Sequence, residues 1–164
     1  MDHLPIRDAF LRFLEESQWS YTQTDDPGLL QMIYFADTAS WICYARFREA
    51  YGQLVFYSLC PLSVPEPRRP AVAEFITRAN YGVMLGAFEM DFEDGEVRCR
   101  TGLTVEDVEM SSGLIRPIVI ANLAVMARYL PALTAVISSQ MTPLDAIREI
   151  EGLDIGDPTP SANE

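Results

Sequence analysis

Two runs decide the fold: WICYARFR at 41–48 and QLVFYSL at 53–59, joined by EAYG at 49–52. Aromatic and β-branched residues alternate with polar or smaller ones in both, which is the period of a strand. With Glu49 to Gly52 as the connecting loop, Arg48 pairs with Gln53. The register then places Phe47, Leu54, Ala45, Phe56 and Cys43 on one face, a core face. The opposite face holds Arg46 with Val55, Tyr44 with Tyr57, and Ile42 with Leu59. This second face is too apolar and aromatic to be merely solvated. Cover by a helix of the same chain is the commoner outcome; otherwise a partner protein covers it. Ile42, Tyr44, Val55, Tyr57 and Leu59 are therefore the candidate partner-binding residues.

Working outward, Leu29 to Ala36 reads as a third strand of the same antiparallel meander, after the turn Asp25-Asp26-Pro27-Gly28. Trp19 to Thr24 reads as a short strand before that turn. Ile6, Phe10, Phe13 and Leu14 recur at helical spacing between Pro5 and Glu16. Beyond Cys60, the proline-rich run 61–70 excludes a central strand and makes a stiff connection. A helix from Ala71 to Asn80 follows, closing near Gly82. Met84 to Glu93 and Glu96 to Leu103 then flank Asp94-Gly95, a strong hairpin signal. A long apolar helix begins after Ser111-Ser112-Gly113, and Pro131 is expected to kink or split it. Thr142-Pro143 opens a last helix, with Thr as its cap. Strands in runs with helices between them predict an α+β fold, an antiparallel β-sheet packed against helices. Residues 1–151 form one domain and 152–164 a mobile tail, the latter because of Gly156, Pro158 and Pro160.

The 164 residues carry 24 acids against 12 basic residues, all arginine, for a net charge of -12. The absence of lysine removes Schiff-base chemistry and the phosphate-loop lysine. The acidity argues against nucleic acid or an anionic membrane as partner. The stretch from Pro117 to Ile137 is apolar enough to raise a membrane span. Asn122 and Arg128 near its middle make it a buried helix instead. The N-terminus lacks a basic patch followed by an apolar run, so no signal peptide is expected, and the chain is placed in the cytoplasm. Three cysteines without CxxC spacing read as reduced, buried thiols.

The cluster Glu89, Asp91, Glu93, Asp94 and Glu96 invites a metal reading, but Asp94 breaks the alternation a calcium loop needs. A two-residue Asp94-Gly95 turn accounts for it better. It pairs Glu93 with Glu96, Asp91 with Arg98 and Glu89 with Arg100, and gives a core face of Phe88, Met90, Phe92, Val97, Cys99 and Thr101. The only histidine is His3, so no base stands ready for a cysteine or serine nucleophile. No catalytic residue, cofactor or metal site is expected. The long helix is apolar nearly all round, so part of it should meet a second subunit.

The runs Arg78-Ala79-Asn80-Tyr81-Gly82, Gly86-Ala87-Phe88-Glu89-Met90-Asp91 and Asp94-Gly95-Glu96-Val97-Arg98 resemble the YbjN-like domain of bacteria. So do Met126-Ala127-Arg128-Tyr129-Leu130-Pro131-Ala132-Leu133 and Ala146-Ile147-Arg148-Glu149-Ile150-Glu151. The resemblance spans Trp19 to Glu151. It implies a fold like that of type III secretion chaperones, commonly dimeric, and a chaperone-like or regulatory adaptor that binds a segment of a client protein. It supplies no catalytic residues. The competing readings are a carboxylate-dependent hydrolase without a signature and a purely structural homodimer.

Overall fold

The computed structural model describes residues 4–106 and 108–152. The chain forms α1 (Ile6–Glu16), β1 (Tyr21–Gln23), β2 (Leu29–Phe35), β3 (Ser40–Arg48), β4 (Gln53–Leu59), α2 (Arg69–Gly82), β5 (Ala87–Met90), β6 (Val97–Thr104), α3 (Ser112–Ile137) and α4 (Pro143–Gly152). The strands make one antiparallel sheet in the order β1-β2-β3-β4-β6-β5. The expected α+β class is thus the observed one. Residues 153–164, most of the expected tail, lie outside the described residues.

The meander register is the one the alternation dictates. Arg48 faces Gln53, Arg46 faces Val55 and Tyr44 faces Tyr57; the β3–β4 ladder ends at Cys43 opposite Ser58, so Ile42 has Ile33 as its partner instead of Leu59. Trp41, Cys43, Ala45, Phe47, Leu54, Phe56 and Ser58 are all buried on one face. Against that face α1 sets Phe10 and Phe13, and the Phe10 ring meets Phe47 edge-on with centroids 5.5 Å apart. Each such side chain taken fully from water contributes about 1.5–3 kcal/mol. Asn122, in the middle of α3, is fully buried and donates through Nδ2 to the carbonyls of Phe56 (3.2 Å) and Cys99 (3.0 Å). It thereby ties α3 across β4 and β6.

Two expectations about proline and glycine change. First, α3 runs unbroken through Pro117 and Pro131 and is not split at Pro131. Proline deprives the carbonyl four residues earlier of its donor. At Pro131 that is Ala127, which is exposed, as Pro131 itself is, so water can serve the carbonyl. Second, the β5–β6 hairpin is not closed by a two-residue turn. Its register is shifted by two, with Met90 opposite Val97, Glu89 opposite Arg98 and Phe88 opposite Cys99. The intervening loop 91–96 is closed by Asp91 N–H to the Glu96 carbonyl (2.9 Å) and Gly95 N–H to the Asp91 carbonyl (2.9 Å).

The reason for the shift lies in the proline-rich segment. Val64 donates its N–H to the Gly95 carbonyl (2.9 Å) and Ser63 its hydroxyl to the Asp94 carbonyl (2.9 Å). Gly95 has φ +78°, and a Cβ there would sit 2.1 Å from the Val64 carbonyl oxygen. The loop is therefore shaped by a long-range contact that no local turn rule contains. A shift of two preserves the faces, so Phe88, Val97, Cys99 and Thr101 remain buried, whereas Phe92 leaves the ladder and is exposed.

The free margin of β5 is closed by a side chain. Asn80, on α2, accepts the Phe88 N–H at 2.7 Å and donates to the Phe88 carbonyl at 2.9 Å. Its amide stands where a seventh strand would pair. At the other end of the fold, Glu49 in the β3–β4 connection caps α1, accepting the N–H groups of Ile6 and Arg7, each at 2.9 Å. A carboxylate at a helix N-terminus satisfies orphan donors and complements the helix dipole. Replacing Glu49→Ala is expected to lower stability by about 1 kcal/mol, read as a reduced urea midpoint at unchanged m value.

Candidate functional site

α1, α2 and α3 pack on one face of the sheet, α4 packs on α2 and α3, and among the described residues no helix covers the other face. The expectation that a helix of this chain would cover the second meander face is therefore corrected. The apolar stripes of α1, α2 and α3 are already satisfied by the Phe10, Phe75 and Met126 side. The five candidate residues do share the outer face. Ile42 is exposed and Tyr44, Val55, Tyr57 and Leu59 are half-buried. They are screened by their neighbours: the Arg98 guanidinium lies 4.5 Å from the Tyr57 ring centroid, and Tyr44 donates its hydroxyl to Gln31 at 3.2 Å. Arg46 pairs with Asp26, and Glu89 holds both Arg98 (2.5 Å) and Arg100 (3.3 Å). The expected Glu89–Arg100 pair is thus present, whereas Asp91 turns into its own loop and accepts the Glu93 N–H instead of meeting Arg98. The result is a flat face of aromatic rings and neutralised arginines.

A concave surface lies on the helical side, at the β1 margin. β1 pairs only Tyr21–Gln23 with Leu30–Met32, so the last three residues of β2 extend beyond it. Trp19 does not continue the strand. Its side chain folds in and donates the indole N–H to the Ile33 carbonyl at 2.8 Å, standing in for a backbone donor. Its ring packs edge-on against Tyr34 at 6.0 Å. Between this corner, α1 and α3 opens a groove of about 690 Å³. Trp19, Tyr34 and Phe35 form one wall, and Val119, Ile120 and Leu123 another. Phe35 is 76% and Ile120 55% exposed, high values for side chains so apolar. Arg116 is the groove's one ionised lining residue; it lies 3.8 Å from Glu16 and over the Phe13 ring. That volume falls in the range of ligand and peptide sites, roughly 300–1,000 Å³.

The sequence reading missed this groove because it assigned Trp19 to the strand. The usable signal was the mismatch in length: a short first strand against seven residues of β2 leaves part of an edge to be filled.

The thiols are core groups. Burial pushes Cys43 and Cys99 up to about 12 and raises Cys60 as well. Cys43 lies 3.5 Å from the Ser58 hydroxyl, which also accepts the Trp41 indole N–H at 2.9 Å. Among the described residues no group of three His, Cys, Asp or Glu side chains is placed to hold a metal ion. One helix, α3, is long and apolar enough to cross a membrane by length and composition. In this fold it packs through Ile115, Val119 and Met126 into the core.

The profile of the YbjN family, described as "Putative bacterial sensory transduction regulator", matches residues 7–135. The chain belongs to that family. Comparison with curated proteins gives no match. Among solved structures, the chain is similar to YbjN from E. coli, with TM-score 0.57 and 9% identity over 82% of this chain and 90% of that one. It is also similar to a chain of the HopA1-SchA chaperone–effector complex, with TM-score 0.51 and 16% identity over 76% of this chain and 92% of that one. At these identities the likeness is one of fold.

The buried thiols carry a pH signature. Below the ordinary thiol value of 9.0 both folded and unfolded chains keep the protons, and stability is unaffected. Between about 9 and about 12 the unfolded chain ionises Cys43 and Cys99 while the folded chain does not, so stability falls as pH rises through that window. The urea midpoint is expected to drop above pH 9 in the native chain. A Cys43→Ala, Cys99→Ala variant should show a smaller drop.

Proposed function

We propose that this protein is a non-enzymatic binding module that holds an extended, apolar segment of another protein, as a chaperone-like or regulatory adaptor. The observation that carries the reading is the groove between α1, α3 and the β1 margin. It is concave, aromatic, partly exposed and free of lining carboxylates, as suits recognition of an apolar segment better than acid–base chemistry. A segment laid against Phe35, past the Ile33 carbonyl that the Trp19 indole already holds, would continue the line of β1, so main-chain hydrogen bonds and side-chain pockets could act together. Membership of a family described as regulatory, and a shared fold with a chain of a chaperone–effector complex, support the same reading. The aromatic outer face around Tyr44 and Tyr57 is a second, flatter surface for a partner.

Affinity purification from the native cell with mass spectrometry is expected to return a stoichiometric client. A Tyr21→Glu, Phe35→Glu variant, altered at two exposed positions, should lose it, and a Tyr44→Ala, Tyr57→Ala variant should retain it. Loss in the second variant alone would move binding to the sheet face. Absence of any client, with turnover in a broad substrate screen, would defeat the reading.

A further inference from the structure

The connection between α2 and β5 is a loop held firmly at its base and apolar at its tip. Asn80 engages both main-chain groups of Phe88, at 2.7 and 2.9 Å, so residues 81–87 form a loop whose ends are bridged. Val83 packs against the core and donates its N–H to the Ala79 carbonyl at 3.1 Å. Gly86, at φ +88°, lies so close to β6 that a Cβ would stand 2.9 Å from the Arg100 carbonyl oxygen. Compact surface loops with bridged ends are frequently functional. Tyr81 is 98%, Met84 94% and Leu85 60% exposed, and the first two are the most exposed large apolar side chains among the described residues. Single exposed apolar residues need no explanation, but three in one clasped loop do.

We propose that this loop is the anchor by which the protein docks on a second protein, in an apolar cleft rimmed by basic residues. Shape gives the first half of that description. A loop closed at its base and exposed at its tip is convex, so its partner is concave there. Tyrosine and methionine suit such a contact, tyrosine as an amphipathic anchor and methionine as a side chain that adapts to irregular walls. Because three attachments already hold the loop, docking has little ordering entropy to overcome. Charge gives the second half. The chain carries net -12, and Glu151 on α4 lies beside the loop, its Oε1 3.1 Å from where a Cβ on Gly82 would stand. Glu74 on α2 is held by Arg78, whereas Glu151 forms no ion pair among the described residues. It belongs to a sequence run, 149–164, that holds five acids and no base. This charge opposes a second acidic copy of the chain and an anionic bilayer, and it favours a basic rim. The loop stands at the β5 end of the strand order and the groove at the β1 end, and they share no residue. With a client in the groove, the loop would join that client to the second protein in one assembly.

Photo-cross-linking in the native cell tests the proposal, with p-benzoylphenylalanine in place of Met84 in the full chain. The expected product joins the chain to one different protein, which is then purified and titrated calorimetrically against the native chain. Tyr81→Ser, Met84→Ser, altered at two almost fully exposed side chains, should weaken that binding at least about tenfold at an unchanged urea midpoint. Affinity should fall as salt rises, and Glu151→Gln should flatten that dependence. The groove variant Tyr21→Glu, Phe35→Glu should bind this protein as the native chain does, which separates the loop from the client site. Loss in the groove variant instead would return the partner to the groove and overturn the proposal. Binding indifferent to the serine variant or unmoved by salt overturns it too, as does a cross-link to a second copy of the chain or no cross-link at all. Co-sedimentation with phosphatidylcholine vesicles, lost in the serine variant, would assign the loop to lipid and overturn it likewise.

Discussion

The amide of Asn122 holds α3 to the centre of the sheet, and the remainder of the architecture is arranged around that tether. Both of its donors go to main-chain carbonyls, on β4 and β6, while its Oδ1 has no protein donor. What the amide secures is register: α3 cannot slide or rotate without breaking both bonds. Fixing α3 fixes which of its sides faces out, and hence where the second wall of the groove lies.

The helices on one side leave the sheet with two unlike surfaces. The inner one is a continuous core. The outer one keeps its aromatic rings partly covered by arginines, each arginine in turn held by a carboxylate or a ring. In a chain with net charge -12, Arg46, Arg98 and Arg100 on this face neutralise acids locally, and Arg98 shelters Tyr57. Of the exposed apolar side chains, Phe35 and Ile120 lie at the groove, whereas Met84, Leu85 and Phe92 lie elsewhere.

How far the sequence discloses this follows from the range of the forces involved. Alternation and turn chemistry are local, so the β3–β4 register, the helix starting near Thr142 and the core face of β6 were legible residue by residue. Thr142 does cap α4, accepting the Asp145 N–H at 3.1 Å. The hairpin was legible in its faces and not in its closure, because Val64 reaches Gly95 across some thirty residues. Trp19 failed for a related reason: an indole in place of a backbone donor follows no periodicity. The five sheet-face residues were correctly grouped on one side, but whether a helix would cover them depended on where every other apolar stripe went.

The clasp of Asn80 on Phe88 has a consequence for assembly. A sheet open at both margins can pass strands from molecule to molecule without limit, which is how cross-β growth proceeds. Here the central residue of β5 already has both main-chain groups engaged by a side chain. A strand arriving at the β1 margin therefore adds to a sheet whose far margin does not pass the pairing on. Edge-to-edge growth would end after one addition, so the geometry of β5 opposes fibre seeding through the sheet.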